Sequence, residues 1–181
     1  MKYVALLRGI NVGGNSRVEM RRLKEVCESL GWQDVRTYIN SGNVIFAHDP
    51  VPPAALAVEL AREIDSAFGF AVNVLVKTSD ELHDAIAAAP DLWTNGPDMK
   101  CDVVFVWEGI TPAEELMALK PRAGIDEVRT TVGVIIWKVD RVNATRSGLL
   151  RMMGTPLYKQ VTVRNINTVR KLGELIDDEE K

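Results

Sequence analysis

The sequence predicts a mixed α+β protein made of two tandem βαββαβ units with antiparallel sheets. Three observations carry this reading. Over residues 1–77 the apolar periodicity runs strand, helix, strand, strand, helix, strand. The same order restarts at Asp102, after a polar loop from Pro90 to Pro97. Each half also holds a tight turn between two short apolar runs, Asn40-Ser41-Gly42-Asn43 in one and Gly133 in the other, which are hairpin residues.

The elements follow in order. Residues 3–8 begin with Tyr3, Val4, Ala5, Leu6 and Leu7, apolar on both faces, which predicts a strand covered on both sides. Gly9 to Asn15 is a loop. Ser16-Arg17-Val18-Glu19 reads as a capping box opening a helix with Met20, Leu23, Cys27 and Leu30 on its stripe, and Gly31 ends it. Val35–Ile39 and Val44–Phe46 are strands. Pro50, Pro52 and Pro53 lead into a helix with Leu56, Leu60, Ile64 and Phe68 at helical spacing, closed by Gly69. Val72, Val74 and Val76 alternate as a strand. Thr78-Ser79-Asp80-Glu81 is a second capping box, for a short helix through Ala89.

In the second half, Asp102–Trp107 is a strand, and Thr111 with Pro112 opens a helix. Glu127–Thr130 and Val134–Val139 are strands. Thr145–Met152 reads as a short helix, Tyr158–Val163 as a strand, and Thr168–Ile176 as the last helix, before the acidic run Asp177 to Glu180. Trp107 and Trp137 fall on matching strands and are expected in the core. This element order is that of the ferredoxin-like split βαβ unit. The expected division is 1–77 for the first subdomain, 78–99 for a connecting helix and loop, and 100–181 for a second subdomain with an extra C-terminal helix.

Composition narrows the class. The apolar fraction of 46% in 181 residues suits a packed globular chain. No apolar run approaches the roughly 18 residues a membrane helix needs, and Lys2 is not followed by a signal-peptide pattern. Cys27 and Cys101 have no histidines at metal spacing and are expected as reduced packing thiols, so the setting is expected to be cytoplasmic. The net charge of −3 conceals an asymmetry. Residues 1–24 carry six cations against Glu19 alone, and residues 138–171 carry eight against Asp140 alone. If the two stretches meet, they form a positive pole that attracts phosphate-bearing partners; otherwise they are two solvated faces.

The Gly9–Asn15 loop follows a strand and opens a helix, so its free N–H groups can cradle an anion, with Arg8 and Arg17 beside it. The spacing is neither the phosphate-loop motif nor GxGxxG. Tyr38, Ser41 and Asn43 offer hydroxyl and amide groups at the hairpin, though such residues also simply build turns. A third stretch, Gly154 to Leu172, is polar and basic, with Asn165, Asn167 and Thr168 as N-cap candidates and Lys159 and Arg164 nearby. His48 and His83 support neither a serine triad nor a zinc site. No aromatic residues alternate with basic ones, so a base-stacking platform is missing.

The strings LLRGINVGG, TYINSGNVIF and GTPLYKQVTVRNINTVRKL, in this order, resemble the bacterial DUF1697 family, whose function is unknown. The resemblance implies a two-subdomain architecture with ferredoxin-like units, and no substrate, cofactor or catalytic residue. It marks Arg8, Gly9, Asn11, Gly13, Gly14, Tyr38, Ser41, Gly42, Asn43, Arg164, Asn165 and Thr168 as motif positions. Ile166 stands where the family often has an aromatic. The expected function is binding of an anionic ligand: a nucleotide, a phosphorylated metabolite or nucleic acid. Arg8, Lys159 and Arg164 would supply charge, Gly13 and Gly14 backbone donors, and Asn11, Tyr38, Ser41, Asn43 and Asn165 further hydrogen bonds. One alternative is an enzyme on the same surface, with Tyr38 as acid or base and Arg8 as electrostatic stabiliser. The other is a structural or interaction protein whose motifs only fix turns. No metal, cofactor or membrane partner is expected, and the oligomeric state is left open.

Overall fold

The computed structural model describes residues 1–13 and 16–178. The chain divides into two compact units. One is Met1–Leu82 together with the residues from Leu172 onward; the other is His83–Lys171. Each unit contains one four-stranded antiparallel sheet.

The first unit runs β1 (Lys2–Leu7), α1 (Met20–Ser29), β2 (Gln33–Tyr38), β3 (Asn43–Ala47), α2 (Pro53–Phe68) and β4 (Val74–Thr78), with strand order β2-β3-β1-β4. Tyr3, Ala5 and Leu7 alternate onto one face of β1 and join Leu23 and Cys27 of α1 and Leu56, Leu60 and Ile64 of α2 in one core. Each large apolar side chain buried there contributes roughly 1.5–3 kcal/mol. Trp32 stacks on Phe46 at 3.7 Å between ring centroids. Burial, helped by the charge of Glu28, pushes the Cys27 thiol up to about 12, in keeping with a packing role.

The other sheet face carries cations. Lys2 Nζ donates to the Ile176 carbonyl at 2.6 Å, and Arg36 Nη2 donates to the carbonyls of Leu175 and Asp178. These carbonyls end α5 (Ile166–Asp177), so two cations sit where the helix dipole favours them. α3 (Ser79–Ala87) follows β4 directly. Its expected capping box is present: Thr78 N–H donates to Glu81 Oε2 at 2.9 Å and Glu81 N–H to Thr78 Oγ1 at 3.2 Å.

The second unit contains β5 (Met99–Val106), α4 (Pro112–Leu119), β6 (Asp126–Thr131), β7 (Val134–Asp140) and β8 (Val161–Asn165), in the order β6-β7-β5-β8. Val104, Ile135, Trp137, Leu149 and Leu157 form its core with Leu119 of α4. Asp126 is its polar centre. Oδ1 accepts from Trp137 Nε1 at 2.9 Å and Ser147 Oγ at 2.6 Å; Oδ2 accepts from the N–H groups of Arg122 at 2.7 Å and Gly148 at 2.9 Å.

Several sequence expectations need correction. The Ser16–Glu19 box does not form: α1 starts at Met20, its N-cap Glu19 makes no side-chain cap bond, and Ser16 lies at φ 52°. Thr111 likewise makes no side-chain cap, although Pro112 does open α4. The Thr145–Met152 helix and the start of the Tyr158–Val163 strand are replaced by three 3-10 segments, Arg141–Arg146, Gly148–Gly154 and Pro156–Gln160. Ser147, Gly148, Gly154 and Pro156 interrupt any continuous α-helix there. Trp107 lies past the end of β5 and is only partly buried, whereas Trp137 is in the core. The last helix begins two residues earlier than expected, and its C-terminal half groups with the first unit. Among the described residues no helix is long and apolar enough to cross a membrane, and no cluster of three metal-ligating side chains occurs.

Candidate functional site

The loop after β1 is shaped by left-handed residues: Gly9, Asn11, Gly13 and Ser16 all have positive φ, between 52° and 73°. Asn11 closes it. Its Nδ2 donates to the Val18 carbonyl at 2.9 Å and to the Asn40 carbonyl at 2.9 Å, and its Oδ1 accepts the Val18 N–H at 2.8 Å. The side chain therefore does the work of a paired strand residue. It fixes the segment entering α1 against the loop and ties both to the β2–β3 turn.

An open cleft of about 800 Å³ lies against this assembly. Its wall combines the amides of Asn11 and Asn40, the cations Arg17 and Arg22, the single acid Glu19, and the apolar surfaces of Val18, Met20 and Phe68. Arg22 is held by two contacts: its guanidinium lies 4.9 Å from the Phe68 ring centroid, and Nη2 donates to the Ala67 carbonyl at the end of α2. Arg17 is exposed at the wall.

Of the residues expected to bind a ligand, Asn11 lines this cleft. Arg8, Gly13, Tyr38, Ser41 and Asn43 belong to the same unit but lie outside the lining. Gly14 lies outside the described residues. Asn43 is fully buried and its Nδ2 donates to the Tyr38 carbonyl at 3.0 Å, across the hairpin. Gly42, at φ 75°, is packed so tightly that a Cβ there would stand 2.7 Å from Leu7 Cβ and from Ile10 Cδ1.

Lys159, Arg164 and Asn165 belong to the second unit. Lys159 is exposed on a 3-10 segment. Arg164 is buried, donates to Thr162 Oγ1 at 3.0 Å and the Val163 carbonyl at 2.9 Å, and is lowered to about 10 by burial. Asn165 Oδ1 accepts the Thr168 N–H at 2.9 Å, capping α5. Asn167 pairs with Asn95 through both side-chain atoms, donating to its carbonyl at 2.8 Å and accepting its N–H at 3.1 Å. Arg170 donates to the carbonyls of Trp93 at 2.7 Å and Pro90 at 3.0 Å. Much of the polar density of this stretch thus holds the chain's own 90–96 loop.

Sequence reasoning missed Phe68 and Arg22 as partners in one wall. In the sequence Phe68 reads only as part of a helical stripe, and nothing local marks its approach to Arg22. Among the described residues, the groups with shifted pKa are Cys27, Glu81, Cys101, Asp126, Lys138 and Arg164, and none lines the cleft.

Fold and site define a mixed α+β protein with two antiparallel sheets and an open, arginine-bearing cleft. The chain belongs to the DUF1697 family of proteins of unknown function, whose profile matches residues 1–137. The conserved bacterial protein SP0830 from Streptococcus pneumoniae has the same fold, with a TM-score of 0.81 over 97% of this chain and 98% of that one, at 24% identity. No curated protein matches the sequence.

Proposed function

We propose that the first unit binds a phosphate-bearing ligand in the cleft beside the β1–α1 loop, and that each unit is a ferredoxin-like split βαβ. The observation that carries the binding reading is the wall itself, where Arg17 and Arg22 face one acid, Glu19, beside two amides and an aromatic ring. Arginine recognises phosphate through a planar fork of donors. Phe68 and Met20 supply apolar surface for the remainder of such a ligand, which favours a nucleotide or a single-stranded nucleic acid over inorganic phosphate. The strand orders β2-β3-β1-β4 and β6-β7-β5-β8, each with crossovers outside its sheet, support the fold reading. Two unbridged cysteines support a cytoplasmic setting.

A second reading is a purely structural use of the motifs. It is favoured by Asn11, Asn43, Asn165 and Asn167, whose side chains all bond to the chain itself. Thermal melting with ATP, a short RNA and inorganic phosphate, at low and high salt, separates the two. The binding reading expects ATP or RNA to raise the melting temperature at low salt, with the gain shrinking as salt rises. Melting curves unmoved by all three probes leave the structural reading.

A further inference from the structure

In the first unit the crossover from β3 to β4 contains the 16-residue helix α2. The corresponding crossover from β7 to β8 in the second unit consists of three short 3-10 segments. These do not cover the sheet face as a continuous helix does, and a cavity of about 220 Å³ remains between them and the sheet. Its wall is mostly apolar, with Trp137, Leu149, Met152 and Val163. Met153 and Tyr158 also line it and are 61% and 40% exposed, so it opens beside them.

The charged part of the wall is an ion pair on β5, with Lys100 Nζ 3.1 Å from Asp102 Oδ2; Ser147 and Tyr158 add hydroxyl-bearing side chains to the lining. Asp102 is only 8% exposed. An ammonium has three donors and a carboxylate two acceptor oxygens, more than their mutual bond uses. The pair is neutral as a whole. A charged ligand would meet a repelling partner beside each attracting one, whereas a hydroxyl can donate to the carboxylate and accept from the ammonium. Size narrows the class further. An apolar cavity of about 150 Å³ takes up benzene, and pockets for drug-sized ligands begin near 300 Å³. The methionines lend the wall adaptable, polarisable surface that suits an aromatic ring.

We propose that this cavity binds a compact, neutral, single-ring molecule bearing a hydroxyl, with the ring among Trp137, Leu149 and Met152 and the hydroxyl on the Lys100–Asp102 pair. The test uses the full chain, labelled at the methionine methyls, with phenol and toluene as probes. Phenol should shift the Met152 and Met153 methyl signals saturably and raise the melting temperature. Toluene, lacking the hydroxyl, should bind about tenfold more weakly. Ala144→Phe, or Val139→Phe if the first variant does not fold, fills the cavity and should abolish the shifts. Asp102→Asn should narrow the gap between the two probes. The proposal is overturned by the absence of saturable shifts in the unaltered protein, by phenol binding that survives both filling variants, or by equal binding of phenol and toluene.

Discussion

Asn11 pairs with Val18 as one strand residue pairs with another, giving and receiving a hydrogen bond at 2.9 and 2.8 Å. A third bond, to the Asn40 carbonyl, makes this one side chain the fastening of three segments. Asn11→Ala leaves the Val18 N–H and two carbonyls without it, which should cost about 1–3 kcal/mol in urea unfolding. Asn11→Asp keeps the acceptor and loses the two donors, so it should fall between.

The two cleft arginines should separate cleanly. Arg17→Glu reverses the charge of an exposed wall position, so stability should stay within about 0.5 kcal/mol while affinity for ATP or RNA falls. Arg22→Ala removes a cation from the α2 C-terminus and from the Phe68 face. It should weaken binding and also lower stability by about 0.5–1 kcal/mol. Isothermal titration and denaturant melts of both variants check this. Unchanged affinity in Arg17→Glu would count against the cleft as the anion site.

Asp126 predicts a specific acid response. Burial opposes its charge, but the N–H groups of Arg122 and Gly148, the Ser147 hydroxyl and the Trp137 indole outweigh it and hold the carboxyl below its ordinary 3.8. A carboxyl lowered by folding contributes stability above its unfolded pKa and loses it as pH falls through the folded value. Asp126→Asn should therefore be clearly less stable at neutral pH, and the gap to the unaltered protein should shrink as pH drops below 3.8. A gap independent of pH would refute this account.

Gly42 is constrained twice. Its φ is 75°, and a Cβ added there would come within 2.7 Å of Leu7 and Ile10. Gly42→Ala should lower stability by more than about 1 kcal/mol, seen as a reduced denaturation midpoint with an unchanged slope.

Lys2 and Arg36 hold the C-terminal carbonyls of α5. Lys2→Met should speed hydrogen exchange selectively in the last turn of α5, at a cost of about 0.3–1 kcal/mol. Uniform exchange across the first unit would instead indicate a global loss.

Much of the secondary structure is legible because its signals are local. Thr78 and Glu81 stand at the capping-box spacing and form the box, continuous apolar runs mark β1, β5 and β7, and alternating valines mark β4. The same spacing at Ser16 and Glu19 fails because Ser16 lies at φ 52°, away from the extended backbone an N-cap adopts, and the helix begins only at Met20. The 141–160 crossover misleads because Gly148, Gly154 and Pro156 break the turns whose apolar residues, Leu149 and Met152, still look helical. The site is legible only as loops. Asn11 stands out from its motif, but the Arg22–Phe68 contact joins two helices and leaves no local trace. The polar stretch before α5 looks like ligand chemistry because hydrogen bonds to a distant loop of the same chain require the same side chains.

The grouping of α5's second half with the first unit has a consequence for biosynthesis. The strands of that unit leave the ribosome early, yet Lys2 and Arg36 meet their carbonyl partners only after the entire intervening unit has been translated. The amino-terminal sheet therefore forms before the carbonyl partners of these two cations exist. A chain arrested anywhere before residue 172 should leave both cations without those partners, and completion of α5 should supply them.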